Sequence, residues 1–173
     1  MEMVINMEKK VITKQRNDIM IIEEKLKELN INYEIVEHDA VYTVEEAKQK
    51  VPYIEGIPCK NLFLKGKKKG YFLYTLPEDK QVNLKELAKF LHVQSFHFAS
   101  HDDLKNILKL IPGSVTPLGI INDTENKVIV VLDKELTKNK VLVHSNRNTA
   151  TISIKYDDLI KFIKCLNHEL IEV

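Results

Sequence analysis

The sequence contains few cysteines and lacks any long apolar run. Its 173 residues include two cysteines, Cys59 and Cys165, which are too few and too far apart for a disulfide framework or a cysteine-rich zinc site. The longest tight apolar cluster, residues 19–22, is far shorter than the roughly 20 residues that span a bilayer. Glu2 and the absence of a basic stretch followed by an apolar run argue against a signal peptide. The expectation is a soluble cytoplasmic protein that has no contact with a membrane.

An excess of charge of either sign is also lacking. The 26 Lys plus Arg nearly balance the 25 Asp plus Glu, so the sequence predicts no protein-wide basic surface for nucleic acid. Only Arg16 and Arg147 are arginines, and lysines offer point charges rather than the bidentate fork that suits phosphate. An apolar fraction of 44% with a net charge of +1 excludes disorder as the main state. Any contact with nucleic acid therefore has to be local.

Motifs of several large enzyme classes are absent. There is no Gly-x-Gly-x-x-Gly, no phosphate loop ending in Gly-Lys-Ser/Thr, no Gly-x-Ser-x-Gly and no His-Glu-x-x-His. His97 and His101 are four residues apart, but Ser100 is predicted to cap a helix between them, which takes the two rings off one helical face. The sequence therefore contains no motif that would indicate a dinucleotide enzyme, a nucleotide kinase or a serine hydrolase. Neither a metal nor a cofactor is expected.

Hydrophobic periodicity predicts helices and strands without strict alternation. Residues 1–13 are expected to be a loose lead-in, and residues 14–173 a single domain. Helices are predicted at 14–30, 44–49, 84–91, 101–108 and 156–166. Strands are predicted at 33–37, 61–65, 71–75, 96–99, 118–121, 128–132, 141–143, 149–154 and 169–173. The strands 61–65 and 71–75 flank residues 66–70 (Gly-Lys-Lys-Lys-Gly) and are predicted to form a β-hairpin. This pattern is typical of an α+β fold, a mixed α/β arrangement with a barrel-like sheet surrounded by helices.

The strand that contains Lys60 is the first place that can carry chemistry. Alternate strand residues share a face, so Lys60 lies with Leu62 and Leu64, while Cys59 and Phe63 lie on the other face. Both faces are substantially apolar, which predicts a strand covered on both sides with Lys60 over the mouth of the interior. The alternative is that Lys60 extends to water, with its aliphatic stem along the apolar surface.

Two polar or flexible segments are the other candidates. In residues 113–119 glycine lets the backbone approach a ligand and proline stiffens the exit, so backbone N–H groups there are available to an oxyanion. A helix C-cap followed by a turn explains that segment equally well. Residues 144–151 place polar side chains and Arg147 in a turn between strands, which indicates either a site or ordinary turn chemistry.

Four blocks of residues together resemble the prolyl-tRNA editing domain family, which includes the YbaK-type deacylases and the editing insertion of bacterial prolyl-tRNA synthetases. The resemblance spans about residue 14 to the C-terminus and is closest to the freestanding branch often called PrdX or ProXp-ala. Two departures lie in turns, where Asp39 and Ser145 replace prolines that are common in the family. The four blocks are residues 37–47 (Glu37-His38 to Ala47), 60–64 (Lys60-Asn61 to Leu64), 113–117 (Gly113-Ser114-Val115-Thr116-Pro117) and 144–151 (His144 to Thr151).

The resemblance implies a hydrolase that removes the wrong amino acid from a mischarged tRNA(Pro), with alanyl-tRNA(Pro) as the expected substrate and prolyl-tRNA synthetase as a possible partner. It identifies Lys60, Gly113 and His144 as the expected catalytic residues. The expected substrate-binding residues are Thr43, Asn61, Ser114, Val115, Thr116, Pro117 and Asn148.

The implied reaction is compatible with a sequence that lacks the Gly-x-Ser-x-Gly motif and an expected metal site. An aminoacyl ester is already activated, so a hydrolase has only to position water and stabilise the oxyanion, without a covalent nucleophile. A pocket that admits alanine and excludes proline would act as a second sieve. A cysteinyl-tRNA(Pro) deacylase and a noncatalytic module that binds tRNA or amino acids remain alternatives. Contacts with tRNA phosphates are expected from Arg147 and from a cluster of four lysines: Lys65, Lys67, Lys68 and Lys69. The alternative is that these lysines belong to a solvated turn that binds nothing.

Overall fold

The computed structural model describes Lys10 and residues 21–173. The described part of the first helix, α1, comprises residues 21–28, and it buries Ile22 and Leu26 completely. The helix predicted at 14–30 is confirmed for this part. The lead-in predicted at 1–13, apart from Lys10, lies outside the described residues.

The remaining elements follow the predicted order. The strands are β1 (Tyr33–Glu37), β2 (Ile57–Gly66), β3 (Gly70–Pro77), β4 (Phe96–Phe98), β5 (Val128–Leu132), β6 (Lys140–His144), β7 (Ala150–Lys155) and β8 (Leu170–Glu172). The helices after α1 are α2 (Val44–Lys50), α3 (Leu84–Phe90), the single turn α4 (His101–Asp103) and α5 (Tyr156–Cys165). The other helical segments are a π-helical one, Leu104–Leu108, and two 3-10 helices, Pro117–Asn122 and Lys134–Leu136.

One predicted strand is wrong, because residues 118–121 belong to the 3-10 helix Pro117–Asn122. Pro117 stands in the first turn, where a backbone N–H would have no helical partner, and Thr116 Oγ1 accepts a hydrogen bond from the N–H of Leu118. Leu118 and Ile120 are buried in the core. A short apolar run indicates burial equally well for a strand and for a helical turn, so the sequence pattern did not distinguish them.

Side-chain caps fix where two helices begin. Ser100 Oγ accepts from the N–H of Asp103, and the Asp103 carboxylate accepts from the N–H of Ser100, so the predicted cap is a complete capping box. Thr43 Oγ1 accepts from the N–H of Glu46, whereas the Glu46 carboxylate accepts from the N–H of Tyr42. The second cap therefore also holds the chain that enters α2.

The strands form one mixed sheet in the order β1-β7-β6-β2-β3-β5-β8, with β4 paired to the far end of β2. The pairs β2–β6, β3–β5 and β5–β8 are parallel, whereas β2–β3, β2–β4, β1–β7 and β6–β7 are antiparallel. Among the described strands, β1 and β8 end this path without pairing with each other. The predicted α+β class with a mixed sheet and surrounding helices is confirmed.

Apolar residues on the two faces of the sheet form two cores. Leu73 of β3 points into the main core, to which α1 and α5 also contribute. Its neighbours Phe72 and Tyr74 point into the smaller core, which α3 covers with Leu87 and Ala88. This alternation along one strand is what a sheet buried on both faces requires.

Strand register brings the predicted catalytic residues to one end of the sheet. In the β2–β3 hairpin, Lys60 lies directly opposite Leu76. In the parallel pair β2–β6, Pro58 is the partner of Leu142. Two residues beyond this pair lie Lys60 on β2 and His144, the last residue of β6, and both line one cleft. Residues that are 84 positions apart in sequence thus come together.

Candidate active site

A cleft of about 410 Å³ opens at this end of the sheet. Its walls come from the segment 41–54, from the start of β2, from the loop before the 3-10 helix and from the end of β6. A largely apolar wall with a few convergent polar groups is typical of a binding site for a small ligand. Six of the predicted site residues line this one cleft: Thr43, Lys60, Asn61, Gly113, Val115 and His144.

Lys60 carries a free amine into the cleft. Its side chain is half-buried, and its Nζ has no hydrogen-bond or ion-pair partner in the described part of the chain. Lys80 and Lys140 are different, because each holds two carboxylates within 3.1 Å or less. The Lys60 ammonium is therefore available to an oxygen of a ligand.

The two sequence neighbours of Lys60, Cys59 and Asn61, each form a hydrogen bond within the fold. Asn61 Oδ1 accepts a hydrogen bond of 2.7 Å from Thr75 Oγ1 across the hairpin, which fixes the amide while one face of it remains at the cleft. Cys59 also lines the cleft, and its thiol donates to the carbonyl oxygen of Ile57. Burial raises the pKa of the Cys59 thiol to about 12, so the sulfur remains protonated and is a poor nucleophile.

In the loop at residues 113–117, some residues face the cleft and the others hold the loop in place. Gly113 has a φ of +87°, which favours glycine, and it lies beside the ring of Tyr42 and the amide of Asn148. Ser114 Oγ bonds to the backbone of Ile111, and Thr116 Oγ1 donates to the carbonyl oxygen of His144. Gly113 and Val115 line the cleft, whereas three fully or largely buried side chains hold the loop in place: Ser114, Thr116 and Pro117.

The turn after β6 concentrates buried polar atoms that lack partners. Asn146 has a φ of +55°, which makes the turn tight. Among the described residues, five of the six buried side-chain atoms without a hydrogen bond lie here. Such atoms are rare in folded proteins and mark the position of a ligand or ordered water. The five atoms are His144 Nδ1, Ser145 Oγ, Asn146 Oδ1, Arg147 Nε and Asn148 Nδ2.

The protonation of His144 and the orientation of His38 follow from their surroundings. Burial, with a smaller contribution from His38, lowers the pKa of His144, so its ring is neutral at pH 7. His38 Nδ1 lies 2.8 Å from the carbonyl oxygen of Asp39, which can only accept, so Nδ1 carries the proton. His38 Nε2 lies 2.9 Å from Thr151 Oγ1, and Thr151 lines the cleft.

Several residues of the cleft were not found from the sequence. Tyr42 and Tyr53 lie on its rim with 67% and 93% of their surface exposed. Glu78 and Lys48 face each other across part of the wall at 3.8 Å. The predicted hairpin carried a usable signal for Glu78, because its register places the residue after β3 opposite the start of β2. No comparable signal pointed to the tyrosines.

The lysines predicted to contact tRNA phosphates lie away from the cleft. Lys67, Lys68 and Lys69 are exposed in the turn between β2 and β3, about 20 Å along the strand from Lys60. Lys65 Nζ lies 5.3 Å from the centre of the Tyr71 ring. Arg147 Nη2 pairs with Glu37 Oε1 at 2.8 Å, so its charge is already partnered.

The described residues contain no cluster of three or more His, Cys, Asp or Glu side chains able to hold a metal ion. His97 lies on the short strand β4 and His101 begins α4, consistent with their separation onto different elements. No helix among the described residues is both long and apolar enough to cross a membrane.

Similarity to known proteins covers all of this cleft. The family model of the aminoacyl-tRNA editing domain matches residues 38–162. The chain is 42% identical to prolyl-tRNA editing protein ProX of Acetoanaerobium sticklandii over 146 residues, which cover 81% of this chain and 87% of that protein. It is 39% identical to prolyl-tRNA synthetase associated domain-containing protein 1 of Bos taurus over 154 residues, covering 86% and 90% of the two chains. A solved structure described provisionally as a trans-editing enzyme for prolyl tRNA synthetase has the same fold, with a TM-score of 0.69, 18% identity and coverage of 90% and 95%.

Proposed function

This chain belongs to the aminoacyl-tRNA editing domain family, and we propose that it is a deacylase that hydrolyses the ester of mischarged alanyl-tRNA(Pro). The observation that carries the proposal is the convergence of Lys60, Gly113 and His144 on one cleft. An unpartnered amine, a glycine-containing loop and a neutral imidazole together suit the binding of an ester and a water molecule. Prolyl-tRNA synthetase is the proposed partner in the sense that its charging errors would supply the substrate.

The loop before the 3-10 helix is suited to stabilise the oxyanion. The N–H of Ser114 donates to the carbonyl oxygen of Ile111, but the N–H groups of Gly113 and Val115 have no acceptor among the described residues. Preorganised backbone donors of this kind stabilise the negative charge that develops on a carbonyl oxygen during ester hydrolysis. Gly113 and Val115 are therefore the proposed oxyanion donors.

Hydrolysis requires a bound water but no covalent intermediate. Water attacks the ester carbonyl carbon, the bond from that carbon to the ribose oxygen breaks, and the products are free alanine and a tRNA with its terminal hydroxyl restored. The neutral ring of His144 can accept a hydrogen bond from that water. The ammonium of Lys60 is proposed to bind the carbonyl oxygen or the neighbouring phosphate. A nucleophilic role for Cys59 is disfavoured because its thiol remains protonated.

Apolar side chains are proposed to set which amino acid is accepted. Val41, Val115 and Val143 line the cleft beside the polar groups. A small pocket can admit alanine and exclude the larger proline. A site that accepts proline cannot exclude alanine by size, because alanine is smaller. Cysteine is only slightly larger than alanine, so cysteinyl-tRNA(Pro) is the second candidate substrate.

The rim of the cleft suits the single-stranded 3′ end of a tRNA. The rings of Tyr42 and Tyr53 are exposed and have no aromatic partner among the described residues. Exposed aromatic rings bind unpaired bases by stacking, which contributes about 1–3 kcal/mol per base. Lys67, Lys68 and Lys69 are proposed to reach phosphates farther along the acceptor stem.

The test is a deacylation assay with tRNA(Pro) charged separately with alanine, cysteine and proline. We expect rapid loss of the alanyl ester and no acceleration for the prolyl ester relative to buffer. Faster loss of the cysteinyl ester would favour the second substrate. Binding of tRNA(Pro) without acceleration of any ester would contradict a deacylase and support the noncatalytic module.

A further inference from the structure

Glu78 faces the cleft from the strand opposite Lys60. Its N–H donates to the carbonyl oxygen of Pro58 at 2.9 Å, which extends the β2–β3 pairing by one position beyond Cys59 and Pro77. Directly opposed residues of antiparallel strands point to the same face, and so do residues two apart on one strand. Glu78 and Lys60 are therefore diagonal neighbours on one face, and both line the cleft.

The Glu78 carboxylate is nearly buried and only weakly partnered. Its side chain is 11% exposed, and the nearest cation, Lys48 Nζ, is 3.8 Å away. Lys48 is 61% exposed and lies at the same distance from Asp79, so its charge is shared and screened by water. Burial raises the pKa of the Glu78 carboxyl, which shows that its surroundings solvate the negative charge poorly. A cation brought into the cleft would restore that solvation.

We propose that Glu78 binds the protonated α-amino group of the aminoacyl ester. This inference rests on the proposed function, since it assigns a ligand group within the same cleft. Of the described residues that line the cleft, Glu78 is the single acidic one, and it forms no ion pair with Lys60. The two side chains thus present a negative and a positive group to the same cleft. An aminoacyl ester carries the complementary pair, an ammonium group and a carbonyl oxygen separated by two carbon atoms.

The proposal has a consequence for substrate choice. An ester whose amino group is acylated, as in a peptidyl-tRNA, has no positive charge to offer Glu78, whose nearly buried carboxylate would keep only its 3.8 Å contact with Lys48. Leaving such a group so weakly paired carries a desolvation penalty that neutral contacts do not offset. The cleft would therefore act on free aminoacyl esters and spare N-blocked ones.

The experiment crosses two variants with two substrates. Wild type, Glu78→Gln and Asp79→Asn are assayed on alanyl-tRNA(Pro) and on N-acetyl-alanyl-tRNA(Pro). Asp79→Asn is the matched control, because Asp79 is adjacent, contacts the same Lys48 and has an 88% exposed side chain outside the cleft lining. We expect Glu78→Gln to lower kcat/KM on the free-amine substrate by about 10- to 100-fold, the loss of one charge-assisted hydrogen bond. Asp79→Asn should stay within about twofold of wild type, as removal of an exposed charge usually does.

The N-acetyl substrate separates amine binding from other roles. Glu78→Gln should be no slower than wild type on it, because no ammonium is present to lose its partner. An equal loss on both substrates would show that Glu78 acts on the fold or on Lys60, and would overturn the proposal. Thermal unfolding midpoints of the three proteins check that the variants are folded.

A binding measurement keeps the inference independent of catalysis. Wild type and Glu78→Gln are titrated by calorimetry with a stable amide analogue, 3′-alanylamino-3′-deoxyadenosine, and with its N-acetyl form. We expect the variant to bind the free-amine analogue at least about tenfold more weakly and the N-acetyl analogue equally. Amine-dependent binding without ester hydrolysis would contradict the proposed function but support the role of Glu78. Hydrolysis by wild type without amine-dependent binding would support the proposed function but contradict the role of Glu78.

Discussion

Burial rather than a neighbouring carboxylate governs the protonation of His144. The ring is half-buried at the end of β6, its Nδ1 has no partner among the described residues, and its pKa lies below the ordinary value of 6.5. The sequence indicated a polar turn but carried no information on solvation. That property depends on tertiary contacts with the turn, such as the hydrogen bonds from Thr116 Oγ1 to the carbonyl oxygen of His144 and from the N–H of Val41 to that of Asn148.

We expect His144 to titrate below pH 6.5 in the folded protein. Because the folded pKa is lower than the unfolded one, protonation favours unfolding: the stabilisation is complete above pH 6.5 and is lost as the pH falls through the folded pKa. The NMR titration of the ring gives the midpoint directly. The free energy of unfolding should fall more steeply on acidification for wild type than for His144→Gln. His97→Gln, at an exposed position, is the control, and equal slopes for all three proteins would contradict the assignment.

Individual site residues differed in how far the sequence could reveal them. Strand periodicity sets the cation of Lys60 among Leu62 and Leu64, and the structure places Lys60 at the cleft, while its catalytic role stays a prediction. Glu78 was missed because its relation to Lys60 runs across the hairpin, where side chains 18 residues apart become neighbours. Tyr53 was missed because an exposed tyrosine in a loop has no pattern that separates it from an ordinary surface residue.

Local sequence signals predicted most elements but not the type of every one. The hairpin at β2 and β3 was recognised from two apolar runs flanking a glycine-bounded lysine turn, and it forms with the expected pairing. The apolar residues of segment 118–121 predict a strand. A 3-10 helix forms there instead because Thr116 caps it and Pro117 lies in its first turn. The apolar side chains are buried in this helix just as they would be in a strand.

Two glycines with positive φ allow a matched test of the cleft loop. Gly113 has a φ of +87° and Gly70 a φ of +82°, so alanine at either position should cost about 1–2 kcal/mol of stability. A Cβ at Gly113 would lie 3.3 Å from Tyr42 Cδ1, whereas at Gly70 the nearest atom is 3.8 Å away. We expect Gly113→Ala to lower kcat/KM on alanyl-tRNA(Pro) at least about tenfold by moving the oxyanion donors. Gly70→Ala should keep full activity, and similar activities for the two variants would contradict a role for the loop.

The lysine hairpin is testable through its dependence on salt. Replacing Lys67, Lys68 and Lys69 together by serine should raise KM for tRNA, with little change in kcat, because phosphate contacts are lost far from the ester. The slope of log(kcat/KM) against log[salt] should become shallower by about 0.7–0.9 for each contact removed. An equal triple replacement at exposed lysines outside the cleft lining is the control: Lys134, Lys155 and Lys164. The same slope in both triple variants would mean that the hairpin is only a solvated turn.

Across the whole molecule, one sheet shared by two cores indicates a single unit of folding. Leu73 and Leu76 are both fully buried on β3, yet they belong to the main and the smaller core respectively. That residues 14–173 form one domain stays a prediction from the sequence. It is supported for the described part by β2, β3 and β5, whose side chains reach both cores.

We expect Leu73→Ala and Leu76→Ala each to lower the free energy of unfolding by about 2–5 kcal/mol, since each removes a buried side chain from close packing. Each variant should unfold in one transition, because loss of either core removes a face of the shared sheet. Denaturant curves followed by far-UV circular dichroism and by tyrosine fluorescence should coincide, and the chain contains no tryptophan to complicate the emission. Separate midpoints for the two probes would show that the cores fold independently.

The central claim is that the cleft beside Lys60 hydrolyses the aminoacyl ester, and the most direct measurement is single-turnover deacylation of alanyl-tRNA(Pro) by wild type and Lys60→Met. Lys60 has no partner in the described part of the chain, so its loss should leave the thermal midpoint nearly unchanged. We expect the rate constant to fall by about 100-fold or more, as when a group that stabilises the transition state is removed. A folded Lys60→Met protein that retains the rate of wild type within a few fold would contradict the account.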